Sequence, residues 1–254
     1  MATDKGSNPQ VAVIVGGGAG ISASCARLFA AVGMQVAIVA RAPDKPSLVK
    51  LSQNDKVTVI GGDATDPEAV VRVFEEVRET LGNPTLVVHN IDGRQGDIFR
   101  KPITEAKPEL VLETLVNSTF SAFLVGQQAA RCLLENDMTD QGRGTIVFTN
   151  ASAALKGFAL SGAFAAASQG KSGLAESMAR ELMPKGIHVV SVPIDGAVGV
   201  TQTDGSRTHW LAGQSREDNM LDPDSIAEAY LYLHRQHRST WSHELILKPW
   251  LEQW

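Results

Sequence analysis

The sequence predicts an α/β fold whose parallel sheet is covered by helices on both faces. Three observations carry this: short continuous apolar runs, longer amphipathic stretches between them, and capping residues at the heads of those stretches. The strand candidates are Val11 to Val15, Val36 to Ala40, Val57 to Ile60, Leu86 to Val88, Thr145 to Thr149, Ile187 to Val192 and Glu244 to Leu247, which make a seven-stranded sheet. Helical patterns fall over Ile21 to Val32, Pro67 to Leu81, Pro108 to Met138, Ala163 to Met183 and Pro223 to Arg235. Thr65-Asp66-Pro67-Glu68 and Asp222-Pro223-Asp224 each place a capping side chain before a first-turn proline. Lys185-Gly186 closes the long helix before the sixth strand. Asn136 to Arg143 reads as a surface loop, and Gly196 to Leu221 as a long irregular connection of the kind that forms lids or binding loops.

Length and composition agree with one domain over residues 1–254: the apolar fraction is 43% and the charged fraction 20%, as in an ordinary globule. A net charge of -5 without a basic block gives no footprint for nucleic acid or an anionic membrane surface, so small molecules are the expected partners. The apolar runs are far shorter than the roughly 20 residues of a membrane span. Met1 to Gln10 is polar, unlike a secretory signal, and the only cysteines, Cys25 and Cys132, fall in helical patterns. A reducing, cytoplasmic setting is the expectation, and no metal-ligand pattern is present.

Directly after the first strand stands Gly16-Gly17-Gly18-Ala19-Gly20-Ile21-Ser22, which opens the first helix. A glycine cluster alone could be a tight turn. Between a first strand and a first helix it reads as a Rossmann-type, doubly wound dinucleotide site, where bare backbone approaches a pyrophosphate and the helix N-terminus offers N–H groups. Gly16, Gly18, Gly20 and Ile21 are therefore cofactor candidates. At the end of the second strand, Arg41 stands where an NAD site wants a carboxylate. Its guanidinium suits a ribose 2′-phosphate, which makes NADPH the expected cofactor; the alternative is an exposed Arg41 paired with Asp44.

On these residues the chain resembles the short-chain dehydrogenase/reductases over nearly its whole length. The family's TGxxxGxG corresponds to Val15 to Ser22, with Ser22 in place of the last glycine. The resemblance implies adenine contacts at Asp63 and Ala64, a partial match of the segment after the fourth strand at Asn90, and a supporting helix asparagine at Asn117. Pro193, Asp195 and Gly196 stand where the family has a proline-glycine turn beside the nicotinamide. Dimers or tetramers are usual in the family.

The family also has a serine after the fifth strand, a tyrosine thirteen residues on, and a lysine four beyond it. Anchoring on Gly157 and on Arg180 to Ile187 puts Ala151, Phe164 and Ser168 at those three places, with Ser152 as the neighbouring hydroxyl. Lys171, seven residues past Phe164, could share the helix face but cannot sit where a lysine four residues on would sit. A ketone reductase needs an acid for the nascent alkoxide, worth about 10²- to 10⁴-fold in rate, and phenylalanine has no proton to give. An iminium is already cationic and needs none, so reduction of a C=N⁺ centre is expected.

The lost tyrosine and lysine, Pro193 to Ala197, and Trp241 to Trp254 resemble a fungal branch of bifunctional NADPH-dependent reductase/Diels–Alderases of bicyclo[2.2.2]diazaoctane indole alkaloid formation. That resemblance implies iminium reduction followed by an intramolecular [4+2] cycloaddition, with shape and orientation as the protein's contribution. It also implies an arginine on the long helix, matched by Arg131, and an aspartate near the lost tyrosine, where this chain has Ala166. Arg131 paired with Glu135 on the helix surface is the alternative. An ordinary carbonyl oxidoreductase using Ser152 and a silent NADP(H)-binding protein are the rival readings. His209, Trp210, Leu211 and Met220 read either as an apolar lid or as cover for the protein's own core, and Trp250 and Trp254 as a subunit contact.

Overall fold

The computed structural model describes residues 10–94, 100–202, 204, 206–209, 212–215 and 217–251. Its sheet is built from β1 (Val11–Val15), β2 (Gln35–Ala40), β3 (Val57–Gly61), β4 (Leu86–His89), β5 (Gly144–Ala151) and β6 (Ile187–Ile194). All pairings are parallel, and the strands lie in the order β3-β2-β1-β4-β5-β6. That order reverses between β1 and β4, which opens a crevice above the C-terminal ends of the central strands.

The helices are α1 (Ile21–Ala31), α2 (Pro46–Leu51), α3 (Pro67–Thr80), α4 (Pro108–Leu115), α5 (Ser121–Leu134), α6 (Gly162–Leu182) and α7 (Pro223–Arg235). Both faces of the sheet are packed. Val13, Val87, Ile146 and Val189 meet α3, α5 and α6 through Phe74, Val125 and Ala175. Ile14, Ile38, Val88 and Val190 meet α1 and α7 through Phe29, Ile226 and Tyr230. Burying each such Val, Ile or Phe stabilises the fold by about 1.5–3 kcal/mol. The caps form as the sequence implies: Asp66 and Asp222 accept from the N–H groups of Glu68 and Asp224. Gly186 takes a left-handed φ of 90°.

Three expectations are corrected. The sheet has six strands, not seven: Glu244 and Leu247 make only isolated parallel bridges to Ser191 and Ile194. Gly142, Trp241 and the neighbouring turn hold this segment on the sheet edge, with His188 stacked on Trp241 at 4.9 Å. Secondly, the long helix expected over Pro108 to Met138 is two helices joined by a π-helical turn, Val116–Phe120. Such a turn carries an extra residue and frees carbonyls from the ladder; here the Ser121 hydroxyl donates to the Asn117 carbonyl at 2.5 Å. Thirdly, the connection after β6 is not wholly irregular. It contains a small antiparallel sheet of β7 (Val200–Thr201), β8 (Arg207–His209) and β9 (Gly213–Ser215).

In that connection Met220 is buried, its sulfur close to Gly199, so it covers the protein's own core. Trp250 is exposed. Trp210, Leu211 and Trp254 lie outside the described residues. No described helix is long and apolar enough to cross a membrane.

Gly16 turns at a φ of 105°, and a Cβ there would stand 2.4 Å from the Asn90 carbonyl oxygen. Gly16→Ala is expected to destabilise the fold by at least about 1–3 kcal/mol, the usual cost of a strained φ, read as a lower urea midpoint.

Candidate active site

Where the sheet order reverses, a cleft of about 480 Å³ is lined by Gly16, Gly18, Gly20 and Ile21 from one side. Asn90 to Asp92 follow β4, Thr149 to Ala151 end β5, and Phe164, Ser168 and Lys171 face in from α6. A second lobe shares Gly16, Asn90, Ile91, Asp92 and Arg94 with the first and continues to Arg41, Lys45, Ala64, Thr65 and Asn117. The two lobes form one groove across the ends of the strands.

The glycine turn divides its work. Gly16 is close against Asn90, as above, while nothing lies within 4 Å of where a Cβ on Gly18 or Gly20 would be. That bare space faces the head of α1, which has no side-chain cap and no acidic residue in its first turn. Unpaired helix N–H groups beside open backbone favour an anion such as a pyrophosphate. The turn is tied by the Ser22 hydroxyl donating to the Gly16 carbonyl at 2.7 Å and by the Asn90 amide donating to Ser22 Oγ at 2.7 Å. Ser22, which departs from the family glycine, is thus part of the turn's own bracing.

At the far end of the groove Arg41 is exposed and makes no ion pair with a described residue; the pairing with Asp44 does not form. Lys45, which sequence reasoning passed over, joins it in the lining because the turn before α2 brings it back beside the end of β2. Asp63 stands on the outer rim with Arg41. Burial works against its charge, but the Thr65 N–H and hydroxyl and the Arg41 cation outweigh that and hold its carboxyl below the usual range.

The other sequence-predicted residues separate. Asn117 lines the second lobe. Gly196 lines the first; a Cβ there would stand 2.7 Å from Pro249, so only glycine lets the chain pass. Asp195 is buried but turned away: its carboxylate lies 3.2 Å from Lys248 and 3.9 Å from Lys156, and its N–H donates to Leu247. Pro193 is enclosed in β6, where its carbonyl accepts from Leu247. Both hold the C-terminal segment against the sheet rather than line the cleft.

Two catalytic candidates fall away from the cleft. Ser152 sits in a short helical turn after β5 and is not among the lining residues. Arg131 is exposed in the last turn of α5, next to Cys132, whose carbonyl accepts from Asn83 just before β4. That is the opposite end of the sheet from the groove, so Arg131 reaches neither lobe. Its surface pairing with Glu135 is also not made, because Glu135 pairs with Arg78 at 2.5 Å.

Phe164 does reach the cleft, with the Arg94 guanidinium 4.7 Å from its ring centre. Lys171 reaches it too, sharing the helix face while Ser168 holds the position four residues after Phe164. Residues 164, 168 and 171 fall within about two turns on one helix face, so a side chain seven residues on shares the wall. Counting four residues back from Lys171 gives Ala167, so in this register also the helix offers no phenol. The chain's two tyrosines, Tyr230 and Tyr232, both lie on α7; Tyr230 is buried against the Thr149 hydroxyl at 2.8 Å and Tyr232 is exposed. Neither lines the cleft.

Lys171 is buried, and its Nζ donates to the Ile91 carbonyl at 2.8 Å and the Thr149 carbonyl at 3.2 Å. Burial pushes its ammonium down to about 8 against the pull of the Asp92 carboxylate. Asn150 braces the helix by donating to the Ser168 carbonyl and to Ser172 Oγ. Behind the wall His89 is fully buried against Ser121, and burial, then the Lys171 charge, holds it neutral, well below the usual histidine range.

A family model described as short chain dehydrogenase matches residues 10–211. L-2,3-butanediol dehydrogenase of Corynebacterium glutamicum is 28% identical over 196 residues, which are 75% of this chain and 72% of that protein. The crystal structure of a short-chain dehydrogenase from Rhodopseudomonas palustris superposes with a TM-score of 0.77 at 28% identity, covering 96% of this chain and 100% of that one. An alcohol dehydrogenase of the archaeon Thermococcus sibiricus, complexed with 5-hydroxy-NADP, shares the fold with a TM-score of 0.76 at 22% identity, covering 96% and 98%. The chain belongs to the short-chain dehydrogenase family and is an oxidoreductase of that family, whose members bind nicotinamide dinucleotides.

The residues present fit such a cofactor: the unfilled space over Gly18 and Gly20 and the bare head of α1 suit its pyrophosphate. Gly18→Val is expected to change the unfolding free energy, from urea titration, by less than about 0.5 kcal/mol, as for a surface change. It should weaken dinucleotide binding at least tenfold by cofactor fluorescence, because the new side chain occupies the ligand's space.

Proposed function

We propose that this chain is an NADPH-dependent reductase whose acceptor at the moment of hydride transfer is an iminium carbon. The observation that carries this reading is the wall of the cleft: α6 presents Phe164, Ser168 and Lys171, and neither tyrosine of the chain is there. When bound, the nicotinamide supplies a hydride; a wall without a phenol favours an acceptor that is activated by positive charge rather than by a hydroxyl donor. The Phe164 ring already receives one cation, Arg94, on its face, and the Asp92 carboxylate lies beside it, 2.6 Å from Arg94.

The preference for NADPH is supported by Arg41 and Lys45 at the end of β2, two cations where a ribose phosphate would be placed. Asp63 and Ala64 beside them would border the adenine, Asn90 and Gly16 the central part, and Asn117 and Gly196 the two flanks. Coupling of the reduction to an intramolecular [4+2] cycloaddition rests on the resemblance to the fungal branch. For that step the apolar wall around Phe164 and Ile194 would contribute orientation, with no acid or base required. Trp250, exposed on the C-terminal segment, is the side chain for a contact between subunits.

A second reading, reduction of an uncharged carbonyl, is favoured by one observation. Lys171 places a donor in the cleft that this substrate would need.

Two measurements test the proposal. Arg41→Ala should raise the NADPH dissociation constant by about 10- to 100-fold, the worth of a charge-assisted hydrogen bond, while NADH affinity changes less than threefold. Equal affinities for the two cofactors in the parent chain would contradict the choice. With NADPH in excess, a cyclic imine or iminium should be consumed at least 100-fold faster than a ketone of the same size, followed as loss of absorbance at the reduced nicotinamide band; faster ketone turnover favours the second reading.

A further inference from the structure

The buried ammonium of Lys171 is the one charged group of α6 in the cleft, and among the described residues its bonding is incomplete. An ammonium has three N–H donors; two are used, on the Ile91 and Thr149 carbonyls. Both acceptors are backbone carbonyls, which fix the position of Nζ without neutralising its charge. Among the described residues, the groups facing it are Asp92 after β4, the neutral His89 on β4, and Arg94 and His209 across the cleft. Asp92 is the single acid among them, and it already pairs with Arg94. An iminium arriving preformed would therefore meet a second positive charge in a confined space.

We propose that Lys171 is the proton donor of this site: a substrate enters as a neutral imine, and the third N–H of Lys171 is given to its nitrogen. This rests on the reductase reading above and names the source of the activating charge. The N–H bond of Nζ breaks, its electron pair stays on the lysine nitrogen, and the imine nitrogen gains the proton. The iminium carbon so formed takes a hydride from NADPH, leaving an amine and NADP⁺; the C=N bond is reduced and the dinucleotide oxidised. Once NADP⁺ has left, Lys171 regains its proton from bulk solvent, so the net reaction consumes one imine, one NADPH and one solvent H⁺. One positive charge passes from lysine to substrate to nicotinamide, and the cleft never holds two of them from these three groups. No phenol is needed, which accounts for Ala167 one turn before Lys171 and for Phe164 beyond it.

Three probes test this: 3,4-dihydroisoquinoline, which is neutral until protonated; its N-methyl iminium salt, which carries a permanent charge; and a ketone. Lys171→Met should lower kcat/KM for the neutral imine by about 10²- to 10⁴-fold, the range for loss of a general acid. It should lower kcat/KM for the N-methyl salt at least tenfold less. Lys171→Arg keeps the charge and the donors to both carbonyls but cannot release a proton, so it should not restore imine reduction.

In the parent chain, reduction of the N-methyl salt should rise with pH through about 8, because deprotonation of Lys171 removes the repulsion. That rise should be absent in Lys171→Met. Independently of turnover, carbon NMR of labelled lysine side chains should show a resonance titrating near 8 that is lost in the variant. Urea midpoints and NADPH fluorescence check that each variant folds and loads.

Equal losses on the imine and the salt, or rescue by arginine, would overturn the proposal alone, because a positioning or purely electrostatic lysine gives those results. A titration of Lys171 above 10 would do the same. A parent chain that binds NADPH but oxidises it with none of the three probes overturns the reductase reading, and the proposal with it.

Discussion

The close passage of Gly16 under the Asn90 carbonyl is the constraint on which the rest of this structure depends. Two strands adjacent in the sheet, β1 and β4, must send their chains in opposite directions at that point because the strand order reverses there. Only a residue without a Cβ allows the first chain to turn so close to the second. The turn then delivers Gly18, Gly20 and the head of α1 to the groove with their backbone bare. Ser22 and Asn90 lock the arrangement through two short hydrogen bonds. Topology, through one tight crossing, thus creates an anion site before any charged side chain is considered.

Charge is then distributed along the groove with little redundancy. Cations stand at one end on Arg41 and Lys45, and a buried cation stands at the other on Lys171. The floor after β6 is held by a different device, in which Asp195 binds Lys248 and the C-terminal segment hydrogen-bonds to Pro193 and Asp195. A buried carboxylate with a close ammonium partner is costly to separate, so this contact keeps the C-terminal segment next to Gly196 and fixes one wall of the cleft. The π-helical turn at Asn117 and the fully buried His89 support the opposite wall.

Much of this was legible in the residues. The six strands of the sheet, the caps at Asp66 and Asp222, the left-handed Gly186, the glycine turn and the position of Arg41 all follow from local chemistry that acts over a few residues. The errors share a physical cause. Glu244 to Leu247 has the composition of a strand, but its backbone meets β6 only at separate points. The Pro108 to Met138 stretch has continuous helical periodicity, which does not register the one extra residue of a π turn. Arg131 lies in the last turn of α5, whereas the groove is lined by Asn117 in the π turn before that helix, and a residue's depth along a helix is not encoded in its spacing from neighbours. Lys45 and Asn150 carried no motif to mark them.

By itself the sequence determined the fold class, the bare glycine turn before α1 and the cation at the end of β2, because glycine conformation, capping and strand-end charge are properties of short segments. The tertiary structure alone decided which face of α6 looks into the cleft, and so brought Lys171 beside Phe164 while leaving Ser152 and Arg131 outside. The reason is that helix rotation and depth are set by packing against β5 and β6 across residues distant in the chain. No count along a single helix contains that information.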